Sequence, residues 1–137
     1  MKILITGGAG FIGYHLAKRL LEAGKASLVL VDNLQRGKMD EDFKALIQDP
    51  RVTFIEADLT VFSEWDKLGS GFDQVYHLAA INSTKLFYEI PHEILRSSLL
   101  MNLNVLEWFR TRNAGGKIIF TSSNEAYSGA LEAFGQL

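Results

Sequence analysis

Short apolar runs alternate with longer amphipathic stretches along the whole chain. The runs at 2–6, 27–32, 52–56, 74–78 and 117–122 are rich in Val, Ile and Phe. That is the composition of strands covered on both faces. Between them, 11–23, 41–48, 63–68 and 93–112 read as helices. The first of these places Ile12, Leu16, Leu20 and Ala23 at helical spacing, with Gly24 as a stop signal. Such alternation predicts an α/β fold, a doubly wound parallel sheet in three α/β/α layers, with 1–137 forming one domain. The 93–112 segment departs from simple amphipathicity. Leu99, Leu100, Met101, Leu103, Val105, Leu106, Trp108 and Phe109 make it apolar on more than one face. One face covers the sheet, and the other needs a partner.

The junction between the first strand and the first helix changes the picture from fold to ligand. Residues 6–13 read Thr-Gly-Gly-Ala-Gly-Phe-Ile-Gly. Gly7, Gly10 and Gly13 are spaced by three, and Gly8, Gly10 and Gly13 also satisfy G-x-G-x-x-G. In a Rossmann-type fold, one glycine permits the tight turn and one lets backbone approach a pyrophosphate. The last lets the helix pack closely on the sheet. The following amides, from Phe11 and Ile12 onward, and the positive end of the helix dipole then face the phosphates.

Asp32 ends the second strand, 19 residues after Gly13. An acidic residue at about this distance is the expected partner of the adenosine ribose. Its carboxylate accepts from both ribose hydroxyls and repels a 2′-phosphate, which favours NAD over NADP. Arg36 pulls the other way, since a nearby arginine accommodates a 2′-phosphate. The alternative for Asp32 and Asn33 is a plain turn. In open parallel sheets ligands bind at the carboxyl ends of strands. Gly7, Asp32, Asp58, the His77-Leu78-Ala79-Ala80 stretch and Ser122-Ser123 all fall there.

Composition narrows the setting. The chain has 137 residues, 47% of them hydrophobic, which fits an ordinary globular core. Net charge is −2 with both signs scattered, so there is no basic face for nucleic acid. No apolar stretch is long enough to span a membrane. Gly7 to Gly10 breaks the N-terminal apolar run before a signal core forms, so no signal peptide is expected. Cysteine is absent, which excludes disulfides and thiolate metal sites and fits a cytoplasmic protein. His15, His77 and His92 have no metal-ligand spacing.

Six segments in order resemble the extended short-chain dehydrogenase/reductase family, the NAD-dependent nucleotide-sugar epimerases and dehydratases. They are T-G-G-A-G-F-I-G (6–13), V-D-N-L (31–34), A-D-L (57–59), H-L-A-A (77–80), N-V-L-E (104–107) and F-T-S-S-N-E-A-Y (120–127). The resemblance implies that Asp58 and Leu59 contact adenine, and that Leu78, Ala79, Ala80 and Ser122 border the cofactor. The alternative for Asp58 is a cap or turn residue. It further implies that Ser123 hydrogen-bonds the sugar oxygen that becomes a carbonyl. Glu125 matches a glutamate of the family's dehydratases and decarboxylases; the alternative is a solvated loop residue. The spacing from His77 through Pro91 to Glu107 looks most like the UDP-glucuronate decarboxylase branch. The resemblance also implies a nucleotide-sugar substrate, and a homodimer formed by the 93–112 helix.

Several positions depart from the family pattern. Asn124 stands where the 4,6-dehydratases usually carry Asp. Residues 98–102 read Ser-Leu-Leu-Met-Asn in place of Asn-x-x-Gly-Thr. The family's Tyr-x-x-x-Lys is not found, since Tyr127 is followed at the fourth position by Leu131. The chain therefore resembles the family's N-terminal portion, truncated before the substrate-binding lobe, and is expected to bind cofactor without turnover. Three readings follow: the cofactor half of an epimerase or dehydratase, a non-catalytic dinucleotide-binding module, and a sugar-nucleotide reductase. Fold alone does not separate them.

Overall fold

The computed structural model describes residues 1–24, 26–81 and 83–123. Five strands, β1 (Lys2–Thr6), β2 (Ser27–Asp32), β3 (Val52–Glu56), β4 (Gln74–His77) and β5 (Lys117–Phe120), form one sheet in the order β3-β2-β1-β4-β5. Every pairing is parallel. Thr6 is opposite Val31 on one side and His77 on the other. Among the described residues four α-helices accompany the sheet: α1 (Phe11–Glu22), α2 (Glu41–Ile47), α3 (Thr84–Glu89) and α4 (Pro91–Arg112). Phe62–Leu68 forms a 3-10 helix.

Strand alternation sorts the core into two layers. Ile3, Ile5, Leu28 and Leu30 pack with Ala17, Leu21 and Phe43 of α1 and α2. Leu4, Val31 and Val75 point the other way, onto Trp65, Met101, Val105 and Trp108. Thus α1 and α2 cover one face, while the 3-10 helix and α4 cover the other. The chain winds outward from β1 to β3, then returns to place β4 on the free side of β1. The doubly wound, three-layer fold expected from the alternation is the observed one.

Three local differences have physical reasons. The 63–68 segment is a 3-10 helix beginning at Phe62, because Trp65 is drawn into the core and its indole N–H donates to the Leu59 carbonyl at 3.0 Å. The short α3 has no buried residue, so no apolar stripe announces it. Ser83 starts it by accepting from the Leu86 amide. Pro91, whose fixed φ suits a first helical position, starts α4 two residues before the expected 93–112 segment. β4 and β5 also stop earlier than predicted, at His77 and Phe120.

The far end of α4 is latched to the entrance of β4. Asn113 is buried; its Oδ1 accepts from the Phe72 amide at 2.7 Å and its Nδ2 donates to the Phe72 carbonyl at 2.9 Å. Gly116 lies against the same groups, and a Cβ there would fall on the Phe72 carbonyl oxygen. Asn113→Ala leaves both Phe72 groups unpaired. It should destabilise the fold by about 2–4 kcal/mol, read as a lower urea midpoint at unchanged slope.

Candidate functional site

The site forms where the winding direction reverses, at the carboxyl ends of β1, β2, β3 and β4. Gly7 leaves β1 with φ +70°, a conformation that excludes most side chains. A Cβ there would also sit 3.0 Å from the Ala79 amide nitrogen. Gly8 donates to the Val31 carbonyl at 3.0 Å, and Gly10 returns to the Gly7 carbonyl at 3.1 Å. Gly13 is buried beneath this turn; a Cβ would overlap the Gly7 carbonyl oxygen. The loop is thus folded against β2, β4 and α1, and a Cβ at Gly7, Gly8 or Gly13 would crowd its neighbours. Gly10 is also the N-cap of α1 and offers no side-chain acceptor. The first amides of that helix are therefore free of a side-chain cap.

One threonine fixes β4 to this turn. The buried Thr6 hydroxyl accepts from the Leu78 and Ala79 amides, each at 3.1 Å. Both lone pairs are then taken, so its proton is donated to His77 Nδ1 at 2.9 Å. The neutral His77 ring consequently carries its own proton on Nε2. That buried atom has no hydrogen-bond partner among the described residues. His77 is 3% exposed. Burial lowers its pKa from 6.5 to about 4, opposed more weakly by the Asn102 side chain.

Asp32 joins the glycine turn to the loop after β2. One carboxylate oxygen accepts from the Ala9 amide at 3.1 Å, the other from the Leu34 amide at 2.8 Å. The adjacent Asn33 accepts from the Gln35 amide at 3.1 Å. Leu34 takes φ +55° to complete this tight reversal. Gly37 then passes so close that a Cβ would lie 2.7 Å from the Ala9 Cβ and 3.0 Å from an Asp32 oxygen. A carboxylate has about four acceptor positions, so Asp32 retains capacity for an incoming hydroxyl.

These pieces enclose one cleft. Gly7, Gly10, Asp32, Asn33, Leu59, Leu78, Ala79 and Ala80 line it, as eight of the residues singled out from sequence. Phe11 and Ile12 begin α1 and are exposed beside it. Asp58 does not line it: its Oδ1 accepts from the Thr60 amide and hydroxyl at 2.9 and 2.7 Å, which makes it a turn residue. Ser122 and Ser123 follow β5 on the same sheet edge, exposed and outside the cleft lining. Glu125 lies outside the described residues. The lining also contains Gln35, Gly37, Ala57, Ile81 and Met101, which sequence reasoning did not assign to a ligand. Gly37 carried a readable signal, a glycine five residues after the acidic strand end. Met101 is both core and lining. Among the described residues no acidic, histidine or cysteine group is arranged to hold a metal, and no helix is long and apolar enough to cross a membrane.

A tightly folded glycine turn, a helix start without a side-chain cap and a strand-end carboxylate converge at one switch point. Residues 3–135 match the NAD dependent epimerase/dehydratase family. The chain belongs to this family. It is 34% identical over 131 residues to UDP-glucuronic acid decarboxylase 6 of Arabidopsis thaliana, covering 96% of this chain and 36% of that protein. It is 32% identical over 135 residues to UDP-N-acetyl-alpha-D-glucosaminuronate decarboxylase of Bacillus cytotoxicus, covering 98% and 40%. In structure it is similar to a UDP-glucose 4-epimerase from Bifidobacterium longum solved with NAD+ and UDP. The TM-score is 0.82 at 26% identity, over 93% of this chain and 38% of that one. The chain thus spans roughly two fifths of these family members.

The buried histidine gives the site a defined acid limit. The folded pKa of about 4 lies below the unfolded 6.5, so the unfolded state binds the proton first as pH falls. Its stabilising contribution is complete above pH 6.5 and is lost between 6.5 and 4, by about 3 kcal/mol at one pKa unit per 1.36 kcal/mol. Denaturation at pH 7 and pH 4.5 should show a stability gap between wild type and His77→Gln that shrinks at the lower pH. A gap independent of pH would exclude His77 as the titrating group.

Proposed function

We propose that the chain binds NAD in this cleft as the cofactor-binding part of a nucleotide-sugar-modifying enzyme. The observation that carries the reading is the coincidence of three features at the sheet's switch point. They are the Gly7–Gly13 turn, the start of α1 at Gly10 without a side-chain cap, and Asp32 at the end of β2. Such a turn and helix start suit a diphosphate, and the spare acceptor positions of Asp32 suit the ribose hydroxyls. The small side chains of Ala79 and Ala80 leave space beside them. When bound, NAD supplies a reversible hydride acceptor.

Within this reading Ser123 orients the sugar hydroxyl that is oxidised and lowers the barrier to its loss of hydrogen. Glu125 exchanges a proton with the sugar ring. The substrate class we favour is a UDP-linked uronic acid and the net reaction its decarboxylation. The support is the decarboxylase activity named for the plant and bacterial relatives. The setting we favour is the cytoplasm, consistent with a chain that contains no cysteine.

The exposed face of α4 belongs to the same reading. Met101, Val105 and Trp108 are buried on the sheet, whereas Leu103 is 62% and Leu106 49% exposed. Leu103, Leu106 and Phe62 border a shallow apolar groove. We assign this face to a twofold pairing of α4 helices, an isologous contact of the commonest kind.

Two experiments test the function. In calorimetric titration Gly10→Val should abolish NAD binding, because its branched side chain occupies the phosphate's place. Asp32→Ala should weaken NAD by roughly tenfold or more, for lost hydrogen bonds to a charged acceptor, while improving NADP relative to NAD. Unchanged NAD affinity in Gly10→Val would refute the position of the phosphate. In light scattering after gel filtration, the wild type should run as a discrete dimer, and Leu106→Glu as a monomer with an unaltered circular dichroism spectrum.

A further inference from the structure

Ala57 and Leu59 line the cleft, yet neither carries a polar group on its side chain that could hold the wall they form. The end of β3 supplies one tie: the Ala57 amide donates to the Asp32 carbonyl at 3.1 Å. Beyond Ala57 the chain leaves the sheet. Asp58 closes a turn there, its carboxylate accepting from the Thr60 amide and its carbonyl from the Val61 amide at 3.0 Å. A turn built from donated amides leaves the Leu59 and Thr60 carbonyls to find partners elsewhere.

Asn104 of α4, itself half-buried, provides one for each. Its Nδ2 donates to the Leu59 carbonyl and to the Thr60 carbonyl, both at 3.0 Å. Both partners are acceptors, so the amide nitrogen, and not its oxygen, faces the turn. The Leu59 carbonyl also accepts the Trp65 indole N–H at 3.0 Å, which fills its second lone pair. Met101 stands three residues before Asn104, on the same side of the helix, and lines the cleft. One face of α4 therefore contributes to the wall and pins the turn that completes it.

We infer that Asn104 is a positioning residue for the adenosine half of the dinucleotide, an inference that rests on the dinucleotide reading of the cleft. The sheet register gives the direction. On one side of β2, Val31 is opposite Thr6, so the glycine turn lies there with the diphosphate. On the other side Asp32 is opposite Glu56, so Ala57 and Leu59 form the wall beside a ribose held at Asp32. The base then falls against that wall. Asn104 does not touch it. It fixes the backbone at 59–60 before the ligand arrives, so binding does not have to order the wall.

The test is calorimetric titration with NAD+ and with ADP, which carries the adenosine and the diphosphate alone. Asn104→Leu removes both donors at similar volume. It should weaken NAD+ and ADP by the same factor, roughly five- to tenfold, the worth of about one net hydrogen bond. Asn113→Ala, at the far end of the same helix, is the comparison. It should lower stability yet leave both affinities within about twofold, as a site without shared partners does. A measurement on the wild type needs no variant to fold: ADP should slow amide exchange across 57–61. Unchanged affinity in folded Asn104→Leu would overturn the inference and leave the NAD reading standing. So would a loss of NAD+ affinity that ADP does not share, an equal loss in Asn113→Ala, or exchange across 57–61 that ADP does not slow. Failure of the wild type to bind NAD+ would overturn both.

Discussion

The site depends on one hydroxyl. Thr6 ends β1 and ties its own strand to the exit of β4 by three hydrogen bonds, two received from amides and one given to His77. Without them the two central strands would still pair, but Ala79 would lose its tie to Thr6 and Leu78 would keep only its longer amide bond to the Thr6 carbonyl at 3.3 Å. The arrangement places every proton. Because both lone pairs of the hydroxyl are filled, the histidine must be neutral and of one tautomer. A protonated ring would lose its bond to Thr6 and sit charged in the apolar layer beside Trp65 and Phe120. Local geometry and acid tolerance are therefore two expressions of the same contact.

Asp32 plays the corresponding part on the other side of β1. It reads in sequence as a ligand, and in structure it is first a brace between two loops. This double duty means that replacing it alters the shape of the cleft as well as its hydrogen bonding. Gly37 and Leu34 make the brace possible, one by approaching Ala9 closely and the other by accepting a left-handed backbone. Neither shows in hydrophobic periodicity, because a loop conformation fixed by hydrogen bonds leaves no apolar pattern.

That contrast explains how much was legible before the structure. The strands and their parallel arrangement follow from short apolar runs, buried most fully in the central β1 and only partly in the edge strands β3 and β5. The glycine turn is legible because close backbone approach excludes every larger residue. The 3-10 helix at Trp65 was less so, since a single large side chain anchors it rather than a stripe. Asp58 is ambiguous in a different way. A carboxylate after a strand suits a ligand and a turn equally, and here the Thr60 amide and hydroxyl take it. Arg36 reads in sequence as an opposition to Asp32, and in the structure both residues line the same cleft.

The uneven anchoring of α4 has a dynamic consequence. Its first buried residue is Met101, almost halfway along, and its last turn is latched through Asn113 to Phe72. The stretch from Pro91 to Leu100 has no fully buried residue, and neither has α3, a helix with which α4 is in contact. Opening this overhang exposes little apolar surface, whereas opening the other end breaks the core. Amide protection along the helix should therefore rise from Pro91 towards Arg112 instead of peaking at its centre. The helix behaves as a cantilever, rigid at its root on the sheet and yielding at the tip that lies beside the carboxyl edge of the strands.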